Sequence, residues 1–119
     1  MAQDVLVANQ AFYDAHEQRD LAAMRDVWEH SARVVCVHPG WSILRGWPAV
    51  EESWWRILAG PGRNQFILTN ADVTVDGTIA WVTLDENLVS GATTGTIALA
   101  TTRKISVLVM VTAACAPNR

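Results

Sequence analysis

The sequence predicts an α+β domain, with three N-terminal helices packed on a curved, mostly antiparallel sheet. Three observations predict it. Apolar residues in the first half recur at helical spacing. The second half is a series of β-branched runs separated by turn residues. The 119-residue length provides one hydrophobic core and no more, so residues 1–119 are read as a single domain.

The first helix is expected from Asp4 to Gln18, where Val5, Ala8, Phe12 and Ala15 form one apolar stripe. Asp20 can cap a second, short helix by accepting from the free N–H groups of its first turn. Leu21, Met24 and Trp28 supply that helix's buried face. Val34 to His38 is short and β-branched, hence a strand, and Pro39-Gly40 stops it. A third helix opens with Pro48 in its first turn, where a missing N–H costs nothing. Val50, Trp54, Ile57 and Leu58 line its apolar face, and Gly60-Pro61-Gly62 ends it. Gln65 to Val75 and Thr78 to Val89 then read as a hairpin across Asp76-Gly77, of the type I′ kind. Two closing strands are expected, at about Thr94 to Thr102 and Ile105 to Ala113.

Composition narrows the function. Half the chain is apolar and 18% is charged, a globular balance. A formal net charge of −3 argues against nucleic acid or an anionic membrane as partner. No apolar run has the roughly 18 residues of a membrane span, and the opening MAQDVLVANQ lacks the basic start of a secretory signal. A cytoplasmic location is therefore expected. Cys36 and Cys115 have no partners at metal-ligand spacing, and no Gly-rich phosphate loop or nucleophile elbow occurs, so neither metal nor cofactor is expected. All twelve acids lie at or before Glu86 and all nine aromatics at or before Trp81. The remainder reads as closing strands of the same domain.

Five stretches carry a resemblance. They are Asn9-Gln10-Ala11-Phe12-Tyr13, Arg19 to Met24, Val35 to Gly40, Leu44-Arg45-Gly46-Trp47 with Val50 and Trp54, and Ala80-Trp81-Val82 with Glu86-Asn87. In this order the chain resembles the nuclear transport factor 2-like superfamily, in particular its SnoaL-like branch, over roughly residues 4 to 90. The resemblance implies a cystatin-like cone, a strongly curved sheet wrapped on three helices around an internal pocket, and a homodimer through the outer face of the sheet. The superfamily includes isomerases, dehydratases, cyclases and modules without chemistry, so the fold does not give the function. The chain departs from its relatives at the end, where Lys104 to Cys115 lacks their usual Trp and His.

Three residues are candidates for chemistry. His38, at a strand end where cone-fold relatives set a polar group, suits a general base; otherwise it is a histidine satisfied by a backbone carbonyl. Glu86 shares an alternating row with Val82, Leu84 and Leu88, a costly place for a carboxylate that suits an acid or an orienting group. The plainer readings are an ion pair with Arg45 or Arg33, or exposure at a bulge. Tyr13 is given by the resemblance to ketosteroid isomerases, where a tyrosine on this helix donates to the developing oxyanion; a core tyrosine with its hydroxyl toward solvent is the alternative.

Trp28, Trp41 and Trp54 are expected to wall the pocket, although Trp54 also fits the core face of its helix. Trp47 and Trp55 fall off that face and suit exposure or a dimer contact. Cys36 reads as a small buried hydrophobe, and His16 and His30 read as surface residues. The leading expectation is a protein that holds a small hydrophobic or aromatic molecule in the cone. The alternatives are a cofactor-free isomerase, dehydratase or cyclase using His38, Tyr13 and Glu86, and a dimerisation module without a ligand.

Overall fold

The computed structural model describes residues 2–38, 40–91 and 97–111, with side chains through Asn87. The elements run α1 (Ala2–Gln18), α2 (Leu21–Val27), β1 (Val35–Cys36), β2 (Leu44–Arg45), α3 (Trp47–Ala59), β3 (Arg63–Asp76), β4 (Ile79–Gly91) and β5 (Ile97–Val111). Strands β3, β4 and β5 form one antiparallel sheet in that order, and β1 pairs with β2 in a separate ribbon. The expected α+β arrangement of helices first and an antiparallel sheet after them is the one observed.

Helix α1 closes by a tight left-handed turn. Arg19 has φ +56°, Asp20 N–H donates to the Ala15 carbonyl and Arg19 N–H to the His16 carbonyl, a pairing that satisfies the last carbonyls of a helix. The next residue starts α2 as expected, the Asp20 carboxylate accepting from Ala23 N–H at 3.0 Å. Arg19 also ties two helices together, its Nε donating to the Leu58 carbonyl near the end of α3.

Two apolar clusters flank α1. One gathers Ala15, Met24, Val34, Cys36, Val50, Trp54 and Leu58 between the helices and β1. The other sets Val5 and Tyr13 against Ala80, Val82 and Leu84 of β4. Phe12 packs against both, so the first helix is the shared wall of the two halves.

The sheet bends along one line. On β3 the register jumps from Thr69↔Asp85 to Asp72↔Thr83, two residues against one, which is a β-bulge. On β5 it jumps between Val82↔Leu108 and Leu84↔Ile105, at the same level of β4. Bulges on both neighbours increase the local twist and bend there, which curls the sheet toward α1. The β3 bulge also corrects the side-chain parity. Phe66 and Leu68 face the core before it and Val73 after it, an odd-numbered position that alternation alone would send outward. Asn70 occupies the bulge with φ +56° and donates from Nδ2 to Asp85 at 2.7 Å.

Four expectations change. Strand β1 is only Val35–Cys36, because the chain turns at His38, whose carbonyl accepts from Trp41 N–H. β2 had no signal of its own in two residues. The hairpin loop is Gly77-Thr78 rather than Asp76-Gly77, since Asp76 pairs with Ile79. Gly77 alone there has positive φ, which fits type II′ rather than type I′. Finally, the two closing strands are one continuous β5, with Arg103 and Lys104 opposite Glu86 and Asp85 in the ladder, where a break was expected. Pro39, Thr94, Ala113 and Cys115 lie outside the described residues, and so does the side chain of Leu88.

Asn70 carries a testable consequence. Asn70→Val forces a β-branched residue into a left-handed conformation and is expected to cost about 1–3 kcal/mol. Asn70→Gly should stay within about 1 kcal/mol of the parent. Urea unfolding measures both, and equal losses would mean that the bulge geometry imposes no strain.

Candidate functional site

The inner face of β4 carries Ala80, Val82, Leu84 and Glu86, all buried, as alternation required. Glu86 is 3% exposed and accepts from the Tyr13 hydroxyl at 2.9 Å. A carboxylate at such a place is stabilised by charge-assisted bonds and costs several kcal/mol without them. Tyr13 follows Val5 and Asn9 along one face of α1 at four-residue steps, and all three are buried. Helix and strand therefore bring the acid and the phenol together across the second cluster. Of the ion pairs considered for Glu86, Arg33 is instead held by Glu29.

Tyr13 is also part of a closed chain of aromatic contacts. Centroid distances are 5.1 Å for Tyr13–Phe12, 5.4 Å for Phe12–Trp54 and 5.4 Å for Trp54–His16. His16–Phe66 at 4.8 Å and Phe66–Tyr13 at 5.1 Å complete it. All five contacts are edge-on, the arrangement favoured by the ring quadrupole. His16 thus belongs to the interior, not to the surface where its charged neighbours had placed it. The i, i+4 step from Phe12 to His16 was the signal that could have found it. Trp28 lies against Phe12 and Trp54 at 6.4 Å from each.

Several polar atoms of this interior have no hydrogen-bond partner among the described residues. They are Asn9 Oδ1, Trp28 Nε1 and Trp54 Nε1. Asn9 and Trp54 are each 3% exposed. An unsatisfied buried donor or acceptor costs about 1–3 kcal/mol, and native proteins keep few of them. Asn9 was not singled out from the sequence, although its place on the Val5–Tyr13 stripe made it visible.

His38 packs on Trp54, ring to ring at 4.7 Å and perpendicular. It is buried, and its Nε2 is 2.8 Å from Ser53 Oγ. The reading of a histidine bonded only to backbone is therefore replaced by a side-chain partner. Burial, and then the nearby His16, lower the His38 pKa below its ordinary 6.5. The ring is accordingly neutral at physiological pH, as a base must be. The described hydrogen bonds pair Tyr13 with Glu86 and His38 with Ser53 and do not link the two pairs. Cys36 is buried, as its sequence context suggested, but its Sγ lies 3.6 Å from His38 Nε2, a neighbour the sequence did not show; burial pushes its thiol up to about 11.

The tryptophans divide. Trp28 and Trp54 border the interior, whereas Trp41 is 41% exposed and does not wall the same space. Its ring meets His38 at 5.0 Å and, with Leu44, Ala49, Glu52, Ser53 and Arg56, lines an open cleft of about 160 Å³. Trp55 is exposed, and Trp47 stacks on His30 at 4.3 Å. Among the described residues, no group of His, Cys, Asp or Glu is gathered to hold a metal ion, and no helix is long and apolar enough to cross a membrane.

Comparison with known proteins places this geometry in context. The pattern of the SnoaL-like domain matches residues 5–112. A crystal structure from Streptomyces avermitilis, described as a "putative dehydratase" of the NTF2-like family, is 32% identical and superposes with a TM-score of 0.73. The alignment covers 86% of this chain and 78% of that one. A protein of Thiobacillus denitrificans, described as a "putative calcium/calmodulin-dependent protein kinase type II association domain", is 24% identical with TM-score 0.68, covering 88% and 86% of the two chains. An "LEH-like epoxide hydrolase" of Mycobacterium tuberculosis is 16% identical with TM-score 0.55, covering 87% and 84%. The last two likenesses concern the fold alone. Comparison with curated proteins finds no match.

Two measurements check the site. Tyr13→Phe removes a donor from buried Glu86 and is expected to cost about 1–3 kcal/mol of stability by urea unfolding; no change would mean that Glu86 does not depend on that bond. His38, with its folded pKa below the unfolded value of 6.5, contributes stability that is complete above 6.5 and is lost as pH falls from there through the folded value. Stability should therefore fall on acidification below about pH 6.5, and less steeply in His38→Gln. Parallel pH profiles for the two proteins would refute the assignment.

Proposed function

The chain belongs to the SnoaL-like domain family of the nuclear transport factor 2-like superfamily, and we propose that it binds a small aromatic or hydrophobic molecule in its interior. The ligand sits between α1, α3 and the inner face of β4. One observation carries this reading. Asn9 Oδ1, Trp28 Nε1 and Trp54 Nε1 are buried without a hydrogen-bond partner among the described residues, and both tryptophans belong to a set of packed aromatic rings with Phe12 and His16. Ligand pockets combine such apolar walls with a few placed polar groups, and a ligand with a donor and an acceptor satisfies those groups.

A second reading is favoured by the buried acid and base. With neutral His38 as base and the hydrogen-bonded Tyr13–Glu86 pair as the second polar group, the interior is suited to cofactor-free proton transfer such as dehydration or isomerisation if a substrate reaches both. The relative from Streptomyces avermitilis described as a "putative dehydratase" supports this direction. A homodimer through the outer sheet face is part of the proposal, supported by exposed Ile67 and Ile79 on that face.

Fluorescence titration with 2-naphthol tests the binding reading. Saturable quenching of tryptophan emission is expected with a Kd on the order of 100 µM, an affinity ordinary for a ligand of this size. Trp54→Phe keeps the ring and removes the donor, and Asn9→Leu removes the acceptor. At least one of these should weaken binding about tenfold, the equivalent of one lost hydrogen bond. Binding that is unsaturable, or unaffected by both changes, would overturn the reading.

A further inference from the structure

Pro48, Glu52, Trp55 and Ala59 follow one another along α3 at steps of four, three and four residues, and all four are exposed. Steps of this size keep residues on one side of a helix. It is the side turned away from buried Val50, Ser53, Trp54 and Leu58. Trp55 is 57% exposed, and it is not an isolated apolar residue. Pro48 and Ala59 extend the stripe along the helix, and exposed Trp41 lies across the cleft that it shares with Glu52 and Arg56. Glu52 and Arg56 are 62% and 63% exposed and 3.1 Å apart, a pairing that contributes little to the fold at such exposure. The acid stands before the midpoint of the stripe and the base after it. Such a stripe is complementary to itself when its direction is reversed.

We infer that this face of α3 is a contact surface for a second copy of the chain, the two helices packing antiparallel about a twofold axis level with residues 53 and 54. That axis sets Pro48 opposite Ala59 of the second copy and Trp55 over the aliphatic stem of its Glu52. Each Glu52 carboxylate then lies beside the other copy's Arg56 guanidinium. A twofold contact uses the same patch on both copies, which the reversed order of charges permits. A parallel pairing sets Glu52 against Glu52 and is disfavoured. Trp and Arg are the side chains that most often anchor protein contacts. Helix α3 has 13 residues and is about 20 Å long, so the contact lies at the small end of specific interfaces. A Kd on the order of 10 µM is expected. The stripe shares no residue with the outer sheet face or the ligand-binding interior, so the inference stands apart from both readings above.

Sedimentation equilibrium of the full chain at about 100 µM, some ten times that Kd, tests the contact. The chain carries Ile79→Arg, which puts a charge on the outer sheet face and removes pairing there. It is expected to remain dimeric through α3. Adding Trp55→Ala should weaken the dimer about tenfold or more. Glu52→Arg leaves Arg facing Arg and Arg56→Glu leaves Glu facing Glu, so each alone should weaken it by about as much. Mixed in equal amounts, these two chains should pair with each other at an affinity within about threefold of the starting one, because each Arg then meets a Glu on the other copy. Charges within each chain stay alike on mixing, so a loss of helix stability is not repaired in this way. A monomeric Ile79→Arg chain, a dimer indifferent to Trp55→Ala, or a mixture that stays monomeric overturns the inference. If the chain without Ile79→Arg is the same dimer and responds to Trp55→Ala as stated, pairing through the sheet face fails and the α3 contact stands.

Discussion

A carboxylate on the inner face of a sheet needs a partner, and the placement of Glu86 organises the molecule. Its row on β4 is otherwise apolar, so the strand must be covered by an element that brings a donor to one particular position. Helix α1 does this with Tyr13, and Val5 of the same face packs on Ala80, Val82 and Leu84. A one-residue slip of β4 would turn Glu86 outward and its apolar neighbours with it. The bond thus contributes specificity of register as well as energy.

The bend of the sheet follows from the same requirement. Helix α1 must contact both the helical cluster and β4, and Phe12 packs against both clusters. A flat sheet could not wrap a helix in this way. Paired bulges opposite Thr83 and Leu84 supply the curl, and the one on β3 keeps Phe66, Leu68 and Val73 on a common face. The edge of β3 is secured by Glu17 at the end of α1, which accepts from Phe66 N–H at 2.6 Å.

Inside this shell lie two polar pairs, Tyr13 with Glu86 and His38 with Ser53. Tyr13 and Glu86 lie on the α1–β4 side, and His38 with Ser53 lies on the α3–β1 side. Trp54 touches His16 and His38 with its ring, while its own N–H has no hydrogen-bond partner among the described residues. Burial lowers the His38 pKa, and its Nε2 lies 2.8 Å from the Ser53 hydroxyl. Family membership does not by itself say whether such an interior carries out chemistry; the direction of those groups bears on the question more than their presence does.

Much of the fold and part of the site were legible in the amino-acid order, because the signals concerned are local. Helical spacing, the Asp20 cap, the Pro48 start of α3 and the alternation that buried Glu86 depend on neighbours within a few residues. So does the reading of Cys36 as a small buried hydrophobe. His16, Ser53 and Asn9 escaped because each is a polar residue on an apolar stripe, and local context reads such residues as exposed. The bulges at Asn70 and opposite Thr83, the shift of the hairpin loop to Gly77-Thr78 and the continuity of β5 also escaped, since each depends on the partner strand. The sequence by itself determined which segments are helix or strand and which faces must be buried, through periodicity and capping. Only the tertiary structure decided that Tyr13 meets Glu86, that Ser53 meets His38 and that Trp41 stays exposed. Those pairings span gaps of up to 73 residues, and a distance in sequence of that length carries no information until the chain has closed on itself.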